Sequence, residues 1–150
     1  MFLQLVYADL SLWPDRQASP FVPLANILVS DRHELNHFIL LDMLCSALYG
    51  LPHMIQYNTS VPALVDLSPV HGMPATFQIA LIEISSCYSR RYTACDWHDI
   101  EHRLLNWQSP ICGTNNEESW KIIAQLAVHE SWRQTLLIYL YMVSPLLSLI

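Results

Sequence analysis

The segment Asp96–Trp107, DWHDIEHRLLNW, contains the residues of this chain whose types and spacing could do chemistry. Within it His98, Glu101 and His102 fit the pattern H-x-x-E-H, the inverted zinc-protease motif. On a helix, residues 98 and 102 project about 40° apart, so both imidazoles could bind one zinc ion while Glu101 acts as the general base. The pattern therefore raises the hypothesis of a zinc-dependent hydrolase.

A catalytic zinc needs a third protein ligand, and each downstream glutamate has another explanation. Glu117 and Glu118 stand where a helix is predicted to begin, and there they would offset its positive dipole end. Glu130 has a helical partner three residues on, Arg133. A five-residue pattern without its third ligand is a weak signal. The zinc hydrolase, with His98 and His102 as ligands, is therefore kept as an alternative interpretation.

The same segment also carries a pattern that needs no metal. Apolar side chains recur at helical spacing on one side of it, which is typical of a helix that packs on its neighbours. Aromatic residues at helical spacing near the C-terminus could line a pocket, but this spacing favours a core. We assign these residues to structural packing: Trp97, Ile100, Leu104, Trp107, Trp120 and Trp132. We predict no catalytic residue, no cofactor and no enzyme activity.

The cysteines and glycines exclude several other kinds of site. The chain has only three glycines, too few and too scattered for a dinucleotide-binding turn or a P-loop, and it lacks G-x-S-x-G. None of the four cysteines forms a C-x-x-C pair, and the N-terminal segment, interrupted by Asp9, is not expected to be a signal peptide. The cysteines are therefore predicted to be reduced, buried thiols, and Cys45 is assigned to packing within an apolar helix.

The composition limits the partners of this chain. Its 150 residues suffice for one domain, and 13 acidic against 7 basic residues give a formal net charge of -6. A nucleic-acid binder needs clustered positive charge, so no direct nucleic-acid binding is expected. Hydrophobic residues make up 53% of the chain and charged residues 13%. We expect some apolar surface to be covered by a protein partner, by missing parts of a larger protein, or by a membrane.

The membrane alternative depends on residues 136–150, LLIYLYMVSPLLSLI, which carry no charge. A membrane span needs roughly 20 apolar residues, and this run is shorter and contains Pro145. A tail-anchored membrane protein is therefore the less favoured interpretation.

Helix signals predict an all-α, irregular helical domain. Asp31 with Glu34 forms a predicted capping box, and Gly50 is predicted to end the helix that follows. That helix is apolar on nearly every face, so we expect it to be central and surrounded. The predicted helices cover Leu3–Trp13, Asp31–Gly50, Ala75–Arg90, Asp96–Trp107, and Asn115 or Asn116 to just before Pro145.

Between two of these helices, Leu51–Pro74 is predicted to be a long crossing loop with four prolines. Its segment Ile55–Val65 could hide a short strand. In the helix Ala75–Arg90 the predicted buried stripe is Phe77, Leu81, Ile84 and Tyr88.

Six segments carry a resemblance to a known family by their order and spacing. They are LVYADL (5–10), SDRHELNHFILLDMLCSALYGLP (30–52), QYNTS (56–60), FQIALIEIS (77–85), DWHDIEHRLLNWQ (96–108) and ESWKIIAQLAVHESWRQTLLIYLYM (118–142). Together they resemble the fungal-specific transcription factor domain, basidiomycete type, which is the helical regulatory region that follows a binuclear zinc cluster in fungal gene regulators. The resemblance implies that residues 96–108 form a packing helix, and the family's pattern there does not include the two histidines.

The resemblance covers residues 3–142 and implies a partial regulatory domain without enzyme activity, in the nucleus. The six-cysteine cluster is absent from this chain, so DNA binding is not implied for it, and the cytoplasm is an alternative for such a fragment. Residues 143–150, VSPLLSLI, look unlike the family and form an atypical apolar tail, which suggests a truncated gene. The implied partners are other proteins or the missing parts of a larger regulator.

Overall fold

The computed structural model of the chain describes residues 2–14, 17, 19–59, 72–89, 96–109 and 119–148. In these ranges the predicted all-α class is confirmed, and the sheet is a parallel pair that joins Val22 to Tyr57 and Pro23 to Asn58. The order of elements is α1 (Phe2–Ala8), β1 (Val22–Pro23), α2 (Leu24–Val29), α3 (His33–Tyr49), β2 (Tyr57–Asn58), α4 (Ala75–Ser89), α5 (Trp97–Asn106) and α6 (Ser119–Ser148).

Helix α4 lies at the centre of the packing, since it contacts α3, α5 and α6. Its predicted stripe is confirmed for Phe77, Leu81 and Ile84, which are buried. The side chain of Tyr88 lies outside the described residues. Burying a large apolar side chain stabilises a fold by about 1.5–3 kcal/mol, so the stripe accounts for the position of α4.

Two predicted helix ends, at Gly50 and Asp96, are confirmed, whereas the predicted capping box at the start of α3 is wrong. Gly50 ends α3 in the left-handed conformation, with φ 64°, and Asp96 caps α5 by accepting a hydrogen bond of 3.2 Å from the backbone N–H of Asp99. The capping box of Asp31 and Glu34 does not form. Instead α3 begins at His33, whose N–H donates to the backbone carbonyl of Asp31 at 3.2 Å, and Arg32 makes no side-chain cap.

The N-terminal region departs from the prediction of one long helix to Trp13. Helix α1 ends at Ala8, because the Asp9 carboxylate then accepts hydrogen bonds from the N–H and the hydroxyl of Ser11, at 3.0 and 2.6 Å. These bonds hold a turn instead of a further helical turn. The short helix α2 was not predicted. It starts directly after Pro23, and proline is well tolerated at a helix start because its missing N–H is not needed there.

Helix α6 was predicted to stop before Pro145, and this is wrong. It continues to Ser148, so residues 143–148 belong to the helix. Proline cannot donate to the carbonyl of Tyr141 four residues earlier, and the Ser144 hydroxyl donates to that carbonyl at 3.4 Å instead. The predicted start at Asn115 or Asn116 lies outside the described residues.

Helix α3 is not surrounded as predicted. Its exposed face carries Leu41, Cys45 and Leu48, three residues that fall within an arc of about 60°. Its buried face includes three polar residues that are hydrogen-bonded. These bonds help to determine which face is buried, because apolar residues occur on nearly every face of the helix and do not indicate one. The buried polar residues are Asn36, Asp42 and Ser46.

Both cysteines of the described region differ from the prediction of reduced, buried thiols. Cys45 is free but exposed, so it has no packing role. Cys87 is buried but disulfide-bonded, and its partner lies outside the described residues, as do Cys95 and Cys112. Residues 60–71 of the predicted crossing loop also lie outside the described residues. The short strand β2 falls within residues 55–65, for which the sequence allows a strand.

Candidate functional site

Both histidines of the H-x-x-E-H pattern are exposed on the surface of α5. The His98 side chain is exposed and its Nδ1 atom lies 3.7 Å from Oε2 of Glu101, while His102 is exposed as well. Across the described ranges no three His, Cys, Asp or Glu side chains are grouped so that they could hold a metal ion. Glu130, a candidate third ligand, instead accepts hydrogen bonds of 2.8 Å from Arg133 and 2.7 Å from Gln134. Glu117 and Glu118 lie outside the described residues.

The charged residues of α5 connect it to the neighbouring helices. Glu101, the general base of the hypothetical zinc site, accepts a hydrogen bond of 2.5 Å from the Tyr141 hydroxyl on α6. Arg103 forms an ion pair with Glu83 on α4. These contacts give the polar residues of α5 a structural role on both of its flanks.

The predicted packing residues of α5 lie on the side of the helix that faces the core. Ile100 and Leu104 are buried, and Trp97 and Trp107 are half-buried against the same core. The Trp107 ring centroid lies 4.5 Å from that of Phe77 on α4. Trp132 on α6 is also half-buried against this core.

Trp120 does not have the predicted packing role. Its side chain is 64% exposed, although its ring lies 5.6 Å from the Lys121 ammonium group. In the N-terminal half of α6, the partly buried and buried residues all lie on one narrow side of the helix. Apolar residues at helical spacing in this half therefore do not all belong to the core. The large apolar side chains exposed along it are Trp120, Ile123, Leu126 and Val128.

Among the described residues, the three most exposed large apolar side chains lie around the turn at the end of α3. Four large side chains stand out within seven residues, and Gly50 in the left-handed conformation turns the chain between them. Leu48 is 75% exposed and Met54 is 80% exposed. We call this surface the α3-end patch, and its residues are Leu48, Tyr49, Leu51 and Met54.

A hydrogen-bond cluster around the buried Asp42 is connected to that patch through Met54. The Asp42 carboxylate accepts a hydrogen bond of 2.8 Å from the Tyr57 hydroxyl and one of 2.9 Å from the backbone N–H of Met54. Burial and the neighbouring Asp42 raise the pKa of Tyr57, and the His53 ring, 6.0 Å from that of Tyr57, has its pKa lowered by burial. Sequence analysis missed this cluster, although a single acidic residue in the run FILLDMLC was a signal for it.

An apolar cleft lies between α1, α3 and residues 54 and 55. Its volume is about 380 Å³, within the range of about 300–1,000 Å³ typical of ligand sites. Leu35 and Ile55, both buried, form its floor. The other lining residues are Leu3, Leu5, Glu34, Phe38 and Met54.

His129, on α6, is buried beside the C-terminal end of α5. Its Nδ1 atom lies 3.1 Å from the Ser109 hydroxyl, and its ring meets that of Trp107 edge-on at 5.5 Å. Burial lowers the pKa of His129 below its usual value of 6.5. The neutral imidazole is therefore the form that suits the fold.

Acid should weaken the fold through His129. The pKa of His129 is lower in the folded than in the unfolded protein. The stabilising contribution of its buried neutral imidazole is therefore complete above pH 6.5, and it is lost as the pH falls below that value. The free-energy advantage of the wild type over His129→Gln should shrink by up to about 1.4 kcal/mol per pH unit in that window. Urea unfolding at a series of pH values measures it. The exposed His102→Gln variant is the matched control and should keep the wild-type slope, and a constant advantage for the wild type would contradict the assignment.

No protein-family model, no curated protein and no solved structure matches this chain. Among the described residues no helix is both long and apolar enough to cross a membrane.

Proposed function

We propose that the chain is a non-enzymatic regulatory and interaction region of a fungal transcription factor, a partial domain that lacks the DNA-binding zinc cluster and acts in the nucleus. Its support from the sequence is the order and spacing of the segments that resemble this family. The genomic sequence upstream is a direct test, since the proposal expects an exon that encodes a six-cysteine cluster.

The observation that carries the interaction role is the α3-end patch. A buried Leu or Met side chain is favoured over an exposed one by about 1.5–3 kcal/mol, so each of these side chains favours a covered state. Leu41 and Cys45 on the exposed face of α3 continue the apolar surface toward the N-terminal end of the helix. We propose that the remaining parts of the regulator, or a full-length relative, cover this surface.

Replacing Leu48 with aspartate should reduce self-association of the isolated chain. Uncovered apolar patches drive association, and a carboxylate at a position that is 75% exposed opposes it without disturbing the core. Size-exclusion chromatography with light scattering should show a wild type that associates in a concentration-dependent way, and a variant shifted toward monomer at equal helix content.

Leu10→Asp is the matched control for this experiment. Leu10 is 61% exposed and follows Asp9, which pairs with Arg32 at 3.3 Å next to the N-terminal end of α3. Leu48 lies 16 residues after Arg32, which corresponds to about 24 Å along the axis of α3. The Leu48 and Leu10 sites are therefore well separated. A monomeric wild type with a cooperative unfolding transition, or equal effects of both variants, would count against the proposed interaction surface.

A further inference from the structure

The cleft between α1 and α3 has a built apolar interior. Its two floor residues, Leu35 and Ile55, come from a helix and from the segment that follows it, and both are buried. Phe38 and Leu5 are half-buried at its walls. An apolar group placed inside would contact protein on several sides, which is the condition for gaining transfer free energy from water.

A hydrogen bond to Asp42 holds the backbone of Met54, which lines one wall of the cleft. The backbone N–H of Met54 is bonded to the buried carboxylate of Asp42, and the same carboxylate holds Tyr57 at the start of β2. The Met54 side chain is 80% exposed at the rim, and methionine adapts its shape readily. The cleft thus combines a fixed backbone with an adaptable edge, which limits the ordering cost of binding.

The charge at the rim is negative. Glu34 is the charged residue among those that line the cleft, and no hydrogen bond or ion pair involves it within the described part of the chain. The nearest arginine along α3, Arg32, is already paired with Asp9. A ligand with an apolar body and a positive end therefore complements both the interior and the rim.

We propose that this cleft is a binding site for a small amphiphilic cation, with an alkyl or similar apolar body between Leu35 and Ile55 and an ammonium group beside Glu34. The proposal does not rest on the regulatory function, since it concerns the cleft alone. The neighbouring α3-end patch shares Met54 with it but is a separate, open surface.

The probes for this site are octylammonium, 1-octanol and octanoate, which share a chain and differ in charge. Titration of the full chain, followed through the backbone amide signals of Leu35, Met54 and Ile55 by NMR, gives Kd for each. An exposed ion pair is weak, so octylammonium should bind roughly threefold to fivefold more tightly than 1-octanol, and octanoate should bind most weakly. From butyl- to octylammonium, affinity should rise by up to about fourfold per methylene until the cleft is filled.

Three variants separate the cleft from other surfaces. Glu34→Gln should make octylammonium and 1-octanol bind equally well, whereas Asp31→Asn, at an exposed carboxylate that does not line the cleft, should leave the preference unchanged. Leu3→Trp, at an exposed edge of the cleft, should weaken all probes while the unfolding midpoint stays the same. Octanoate binding as tight as that of octylammonium, signal changes centred on Leu48 and Tyr49, or no binding of any probe would overturn the proposal.

Discussion

Replacing Leu104 with alanine is expected to lower the free energy of unfolding by about 2–5 kcal/mol. The Leu104 side chain is 1% exposed and lies on the face of α5 that packs against α4 and α6. Truncation removes buried methyl groups and leaves a cavity that the surrounding helices fill only in part. Urea unfolding followed by circular dichroism at neutral pH measures the loss.

His98→Ala and His102→Ala are the matched controls in the same helix. Both histidines are exposed, so each substitution should change the free energy of unfolding by less than about 0.5 kcal/mol. The purified wild type should contain no stoichiometric zinc. If instead it binds one zinc ion that both histidine variants lose, and if Leu104→Ala is mild, the zinc-hydrolase interpretation of H-x-x-E-H is the better one.

The parts of the fold that the sequence predicted well depend on local interactions. Asp96 caps α5 through the N–H of a residue three positions away, and Gly50 ends α3 because a residue without Cβ readily takes φ 64°. The apolar residues of α5, Ile100 among them, repeat clearly at helical spacing because charged residues occupy the other face of this helix. Such signals need no knowledge of which elements meet.

The errors concern contacts between distant segments. The apolar residues of α3 are spread around its whole circumference, so their pattern does not indicate a face. The orientation of α3 depends instead on hydrogen bonds that the Asp42 carboxylate accepts from Met54 and Tyr57, 12 and 15 residues later in the chain. Trp120 was assigned to packing because helical spacing looks the same on a helix that is largely covered and on one that is largely exposed.

The apolar cleft could not be predicted from local sequence patterns, because it too is formed by segments that are distant in the chain. The cleft brings together Leu3, Leu35 and Ile55, which are separated along the chain by 32 and 20 residues. No motif spans such distances unless the position of α1 relative to α3 is already known. Asp42, which fixes the Met54 wall of the cleft, left a trace in the sequence as a single charge within an apolar run, whereas Glu34 stands in the charged segment 31–34 and does not stand out.

Replacing Asp42 with alanine is expected to destabilise the protein by about 2–4 kcal/mol. The substitution leaves the buried Tyr57 hydroxyl and the partly buried Met54 N–H without their acceptor, and each such donor costs about 1–3 kcal/mol when water cannot replace the bond. Asp31→Ala, at an exposed aspartate, is the control and should stay within about 0.5 kcal/mol of the wild type. Equal stabilities of the two variants would contradict the buried cluster.

A double-mutant cycle with Tyr57→Phe isolates the bond between the two side chains. Tyr57→Phe alone should cost about 1–3 kcal/mol, because it removes a hydrogen bond to a charged group. In the Asp42→Ala background the same change should cost less, since no acceptor remains there for the hydroxyl. Because Asp42 also fixes the Met54 wall of the cleft, Asp42→Ala should weaken octylammonium binding, whereas Tyr57→Phe, which leaves the bond to Met54 in place, should weaken it less.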